Sequence, residues 1–253
     1  MLRSILLATC VSIAGFAAHA DEAAGPVTFN ASDGATVHAD YQPGEEGAPI
    51  IVMFHQARSN GGAEYAAIAP KLSAKGYSLL VVDQRSGGGK FGEENLTVKM
   101  HGKSTKFCDA YPDTEGALAF AQEAAPGVPV FIWGSSYSAA LTMKLAAEHG
   151  DEIAGAVVFS PASGRSTKTC RANDYASKVS VPVKAFLPKS EMGSKGKKQR
   201  DLFLAAGHEH HVMEGGVHGA SMLDPSRAKG DPAATWEAVF QFVEANTAAE
   251  SQS

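Results

Sequence analysis

Val128-Pro-Val-Phe-Ile-Trp133, followed by Gly134-Ser135-Ser136-Tyr137-Ser138-Ala139-Ala140-Leu141, decides how the chain is read. A short apolar run passes through small-x-Ser-x-small into a helical stretch. That is the pattern of a tight turn holding a serine hydroxyl above the carboxyl end of a sheet. In such a turn the residues two before and two after the serine approach each other and must be small. Ser136 meets that condition with Gly134 and Ser138, whereas Ser135 would put Trp133 at the first place. A plain Ser-rich helix N-cap is the simpler alternative, and the order of elements on either side argues against it.

On both sides of this turn, short β-rich runs alternate with helical stretches. Val27–Asn30 and Thr36–Tyr41 read as an opening antiparallel pair. Ile50–His55, Ser78–Asp83, Val128–Trp133, Ile153–Phe159, Val181–Leu187 and His210–Met213 read as further strands, the continuous apolar ones buried on both faces. Helices are expected over Ala63–Lys75, from Asp113 or Thr114 to about Ala125, over Ser136–His149, Lys195–Ala206 and Ala233–Asn246. Trp236, Val239, Phe240 and Val243 form the core face of the last. The alternation predicts a doubly wound, mostly parallel α/β sheet of about eight strands in a single domain over 21–253.

The first twenty residues are read apart from that domain. Arg3, the apolar stretch Ile5–Ala18 and the small-x-small sequence Ala18-His19-Ala20 form the pattern of a cleavable secretory signal, with a periplasmic or secreted protein as the expectation. The apolar stretch is short for a membrane span, which needs about 20 residues. Cys10 leaves with the signal, so Cys108 and Cys170 remain as an even pair in an oxidising compartment and are candidates for a disulfide. The net charge of −5, from 22 Lys and Arg against 27 Asp and Glu, argues against a nucleic-acid partner held by a basic surface. No later apolar run is long enough for a membrane partner.

A nucleophilic serine needs a base, and the base an orienting acid, expected in the order Ser, acid, His on loops after successive strands. His218, in Gly215-Gly-Val-His-Gly-Ala-Ser221 just beyond the last strand, is the candidate base. Glu191, just beyond strand Val181–Leu187, is the candidate acid; Asp174 and Asp201 are its rivals. Lys189, Lys195, Lys197, Lys198 and Arg200 around it read most simply as a solvated face. An oxyanion hole would take one donor from the amide of Tyr137 and the other from the loop after Ile50–His55, with Ala57 first choice and Gln56 second. His55 reads as structural. His208, Glu209, His210 and His211 are a poor metal set, because neighbouring strand side chains point to opposite faces. No metal or organic cofactor is called for.

With these residues in place the chain resembles the α/β-hydrolase superfamily, in particular its small lidless esterases and dienelactone-hydrolase-like members. His55-Gln56-Ala57 stands at the family's His-Gly-x turn. Ser78–Gly88 looks like its strand followed by Asp-x-Arg-Gly-x-Gly, with Ser86 replacing the first Gly. Gly134–Ser138 matches the elbow, Glu191 falls at the acid position, and His218-Gly219 resembles the histidine loop. The departures are Gln56 and Ser138 for Gly, Glu191 where Asp is commoner, and Ser136 where dienelactone hydrolases carry Cys. Only about 21 residues, 161–181, fill the place where many relatives insert a cap, so an open site is expected. The resemblance implies a serine hydrolase acting on small carboxylic esters through an acyl-enzyme. A secreted peptidase or amidase of the same fold, and a non-catalytic binding protein on this scaffold, are the alternatives.

Overall fold

A computed structural model describes residues 24–250; the expected signal segment lies outside them. The chain runs β1 (Gly25–Asn30), β2 (Thr36–Gln42), β3 (Ile50–Phe54), α1 (Gly61–Tyr65), α2 (Ala69–Ser73), β4 (Ser78–Asp83), α3 (Leu96–His101), α4 (Tyr111–Ala124), β5 (Val130–Ser135), α5 (Tyr137–Glu148), β6 (Gly155–Phe159), α6 (Ala172–Tyr175), β7 (Val183–Pro188), α7 (Ser194–Ala205), β8 (Glu209–Met213) and α8 (Ala233–Glu250). The eight strands form one sheet in the order β1-β2-β4-β3-β5-β6-β7-β8. Only β2 runs against its neighbours; the pairs from β4 to β8 are all parallel. Among the described residues no separate cap domain interrupts the sheet.

The two-residue period of a strand explains why β3 to β6 are buried throughout and mostly apolar: each alternate residue feeds a different layer. Ile50, Val52 and Phe54 pack on one face with Val130, Ile132 and the inner residues of α4 and α5. Ile51 and Met53 pack on the other with Phe131, Trp133 and the α8 residues Trp236, Val239 and Val243. Phe240 is half-buried against that second layer.

Two expected helices are corrected. Residues 63–75 form α1 and α2 rather than one helix, because Pro70 at the start of α2 has no N–H to continue an α-helical ladder. Neither Asp113 nor Thr114 caps α4, which begins at Tyr111 with Pro112 in its first turn. Asp113 is instead fully buried and accepts hydrogen bonds from the backbone and side-chain nitrogens of Arg85 at 2.8 and 2.6 Å, while Arg85 also binds Asp33. This clamp ties the loop after β4 to α4. Several strand ends also shift, notably β5 and β7, which start after Pro129 and Pro182 respectively.

Cys108 and Cys170 are joined by a disulfide across 62 positions. It binds the excursion after β4 to the loop after β6, two segments with no strand pairing between them. Replacing both cysteines by Ala should lower unfolding stability by about 4 kcal/mol in the chain-entropy account, measured from denaturant midpoints against the oxidised parent.

On β8, the Nε2 of His210 is buried with no partner among the described residues. Burial, reinforced by Arg200, holds its imidazole down to about 4. In the unfolded chain it titrates near about 6.5, so between these values the unfolded state binds the extra proton and stability falls as pH drops. His210→Phe should flatten the loss of stability between about pH 6.5 and about pH 4, read from urea midpoints across that range.

Candidate active site

The turn between β5 and α5 puts Ser136 at φ 63°, ψ −113°, a conformation that L-residues rarely adopt. Gly134 makes it possible: a Cβ there would meet Thr142 Oγ1 and the backbone of Ala139. Ser138, the departure from Gly, is fully buried and useful where it lies. Its Oγ accepts from Ser135 N–H at 3.0 Å and lies 2.7 and 2.8 Å from the carbonyl oxygens of Phe54 and His55. A glycine would leave the elbow without this tie to the end of β3. Ser136 N–H donates to Phe159 O at 2.8 Å and so is held by β6 as well.

The loops after β7 and β8 bring Glu191 and His218 to the elbow. His218 Nε2 lies 2.7 Å from Ser136 Oγ, and His218 Nδ1 lies 2.5 Å from Glu191 Oε1. A carboxylate only accepts, so Nδ1 carries the proton and Nε2 is left to accept from the serine hydroxyl. Half of the His218 side chain is exposed (51%), as an open site requires. The rival acids are elsewhere: Asp201 is bound to Arg200, and Asp174 sits exposed on α6.

The histidine loop is held by two hydroxyls that sequence reasoning missed. Gly219 N–H donates to Ser160 Oγ at 3.0 Å, and Ala220 N–H donates to Ser135 Oγ at 2.9 Å. Gly219 has φ 72°, and a Cβ there would press on Ser135 Oγ. Ser135 thus stands beside Ser136 in sequence but serves the His218 loop. The Gly-Ser-Ser string named the elbow without dividing these tasks.

The loop after β3 corrects one expectation. Gln56 N–H donates to Glu64 Oε2 at 2.6 Å, so that amide is occupied and is no oxyanion donor. The amide of Ala57 has no partner among the described residues, and that of Tyr137 is one of the unpaired groups at the start of α5. Gln56, in place of the usual Gly, is the centre of a buried network. Its Nε2 donates to Glu64 Oε1 and Ser221 Oγ, both at 3.1 Å, and its Oε1 accepts from Lys90 Nζ at 2.6 Å. Arg227 closes the network on the carbonyls of Ala63 and Glu64. Glu64 is fully buried on α1, where an acid amid apolar spacing gave no hint of this role. His55 is structural: its Nε2 accepts from Gln84 N–H. His208 and His211 are likewise occupied, by Ala176 O and Thr235 Oγ1.

A parallel sheet with a strained serine at its carboxyl edge and a histidine–carboxylate pair on later loops defines an α/β hydrolase. Residues 46–220 match the family described as serine aminopeptidase, S33, and the chain belongs to that family of α/β hydrolases. It is an enzyme of the hydrolase class. Among solved structures it is similar to an esterase of Pyrococcus furiosus (13% identity, 88% of this chain and 91% of that one, TM-score 0.67). It is also similar to a putative dienelactone hydrolase of Klebsiella pneumoniae (15%, 87% and 98%, TM-score 0.66) and to a thermostable carboxyl esterase of Bacillus coagulans (12%, 89% and 99%, TM-score 0.67). At these identities the likeness is one of fold. No curated protein matches the chain.

Glu64→Ala would leave Gln56 N–H buried without an acceptor, and an unsatisfied buried group costs about 1–3 kcal/mol. Loss of that order is expected in a urea titration, whereas Ala substitution of the exposed, surface-paired Glu94 should cost under about 0.5 kcal/mol.

Proposed function

We propose that the protein is an exported serine hydrolase that cleaves carboxylic esters of small molecules. The observation that carries the reading is the unbroken hydrogen-bonded chain from Ser136 through His218 to Glu191. In the proposed reaction Ser136 Oγ attacks the ester carbonyl carbon as His218 Nε2 takes its proton. Glu191 stabilises the imidazolium that results, and the amides of Tyr137 and Ala57 receive the charge developing on the carbonyl oxygen. Collapse of the tetrahedral intermediate expels the alcohol, protonated by His218, and leaves Ser136 acylated. Water, deprotonated by the same base, then releases the acid and regenerates the hydroxyl.

The open site favours esters over peptides: no cap encloses it, and a leaving alcohol needs no recessed amine pocket. The family description favours a second reading, an aminopeptidase. Export is supported by the signal pattern of residues 1–20 and by the Cys108–Cys170 disulfide, which persists in oxidising compartments.

Ser136→Ala should abolish hydrolysis of p-nitrophenyl acetate while preserving the circular dichroism spectrum and labelling of the parent by a fluorophosphonate should map to Ser136. Undiminished turnover in that variant would overturn the assignment. Glu191→Gln should lower kcat by about 10²–10⁴-fold, since the wrong imidazole tautomer is then stabilised. Turnover of amino-acid p-nitroanilides ahead of esters would favour the aminopeptidase reading.

A further inference from the structure

One cleft of about 590 Å³, lined by His38, Asp40, Asp83 and Glu93 among others, includes no triad residue, and both Asp83 oxygens are already taken by the backbone amides of Gly61 and Leu96. A smaller groove of about 390 Å³ is different, because Glu191 itself forms part of its wall. Pro161, Ser163 and Gly164 also line it, and Ala162 N–H between them donates to Ser136 O at 3.1 Å. The groove therefore lies between the strand of chain tied to the serine and the loop that carries the acid.

We propose that this groove is the subsite for a second, anionic group on the substrate, so that the preferred esters carry a carboxylate or phosphate besides the scissile bond. The inference rests on the ester-hydrolase reading of Ser136. Lys195 and Lys198 line the groove, and neither has an acidic partner within salt-bridge distance among the described residues. By contrast, the nearby Lys184, Lys189 and Arg200 are each matched to an acid. Gly196 is the reason the two free cations reach this place. A Cβ there would collide with the Glu191 carbonyl, so only glycine lets the first turn of α7 lie against the acid's backbone.

Of the neutral groups of the wall, Gln199 and Ser163 spend their donors on protein acceptors and so fix Asn173 in place. Buried Gln199 directs Nε2 to Pro161 O at 2.9 Å and Asn173 Oδ1 at 2.6 Å, and Ser163 Oγ also donates to Asn173 Oδ1 at 2.8 Å. With its oxygen thus used, Asn173 keeps an amide nitrogen for an acceptor. The one acid in the wall, Glu191, has its charge directed to His218. The wider field has the same sign: residues 160–200 hold ten of the 22 Lys and Arg but two of the 27 Asp and Glu, and of the ten, Lys184, Lys189 and Arg200 are matched by Glu209, Glu214 and Asp201 from outside the segment. A second groove, at the disulfide, is lined by Lys106, Arg165 and Lys168 against one acid, Asp109. In a chain of net charge −5, this is the face that would concentrate anions at the serine.

The test compares kcat/KM for matched esters with the full-length protein: 4-acetoxybenzoate against phenyl acetate, and monoethyl glutarate against ethyl butanoate. The anionic member of at least one pair should be preferred by about tenfold at low ionic strength, and the preference should shrink at about 0.5 M salt. Lys195→Gln/Lys198→Gln should lower that preference about tenfold, chiefly through KM, whereas Lys75→Gln, on the remote α8 side, should leave it unchanged. Equal rates within both pairs, or a preference indifferent to the double variant, would overturn the proposal. Should no ester be turned over at all, the hydrolase reading fails first, and the groove is still tested by binding. Glutarate or 4-hydroxybenzoate should then shift the amide resonances of residues 195–199 in the parent and not in the double variant; no shift in the parent overturns the subsite.

Discussion

The backbone of Ser136 is held where an L-residue does not rest by choice, and much of the molecule serves to hold it there. Such a conformation costs on the order of 1–3 kcal/mol. It persists because β5, β6 and the end of β3 all grip the turn. Ser136 N–H is bonded to Phe159 O, and Ser138 Oγ reaches the carbonyls that end β3. Gly134 admits the packing of α5 against the strand at the one point where a methyl group would exclude it. The strain aims the hydroxyl away from the sheet and into the reach of His218.

Around that elbow the structure uses buried polar networks in place of a covering domain. Glu64, Gln56, Ser221, Lys90 and Arg227 hold the loop after β3, and Ser135 and Ser160 hold the loop after β8. Each network joins segments far apart in sequence, and Ser221 links the loop after β3 to the loop after β8, so these two cannot drift independently. The disulfide does the same for the outer loops. An open site held from beneath by such networks needs no lid to order its loops, and the lysines beside Glu191 would give it the electrical preference proposed above.

Much of the fold was legible because strand and helix periods differ and the apolar runs follow them closely. All eight strands lie where the β-rich runs put them, with ends displaced by Pro129 and Pro182. The break between α1 and α2 was overlooked although Pro70 announces it, since apolar spacing carries on across the gap. Asp113 was misread for a different reason. An acid after a loop resembles a cap, and only the arrival of Arg85 from 28 positions away makes it a buried ion-pair partner. Gln56 likewise stood out in the sequence only as a departure from Gly, and in the structure it anchors that turn.

By itself the sequence determined the class of fold, the choice of Ser136 over Ser135, and the chain order in which acid and base would follow. These rest on local sterics and periodicity, which neighbouring residues express without help from the rest of the chain. The tertiary structure alone decided that Glu191 rather than Asp174 or Asp201 meets His218, that Glu64 takes the amide of Gln56, and that two lysines of a basic run flank the acid. Those are meetings between loops at the ends of different strands. Their geometry is set by strand order and by the depth at which each strand ends, which no single stretch of sequence encodes.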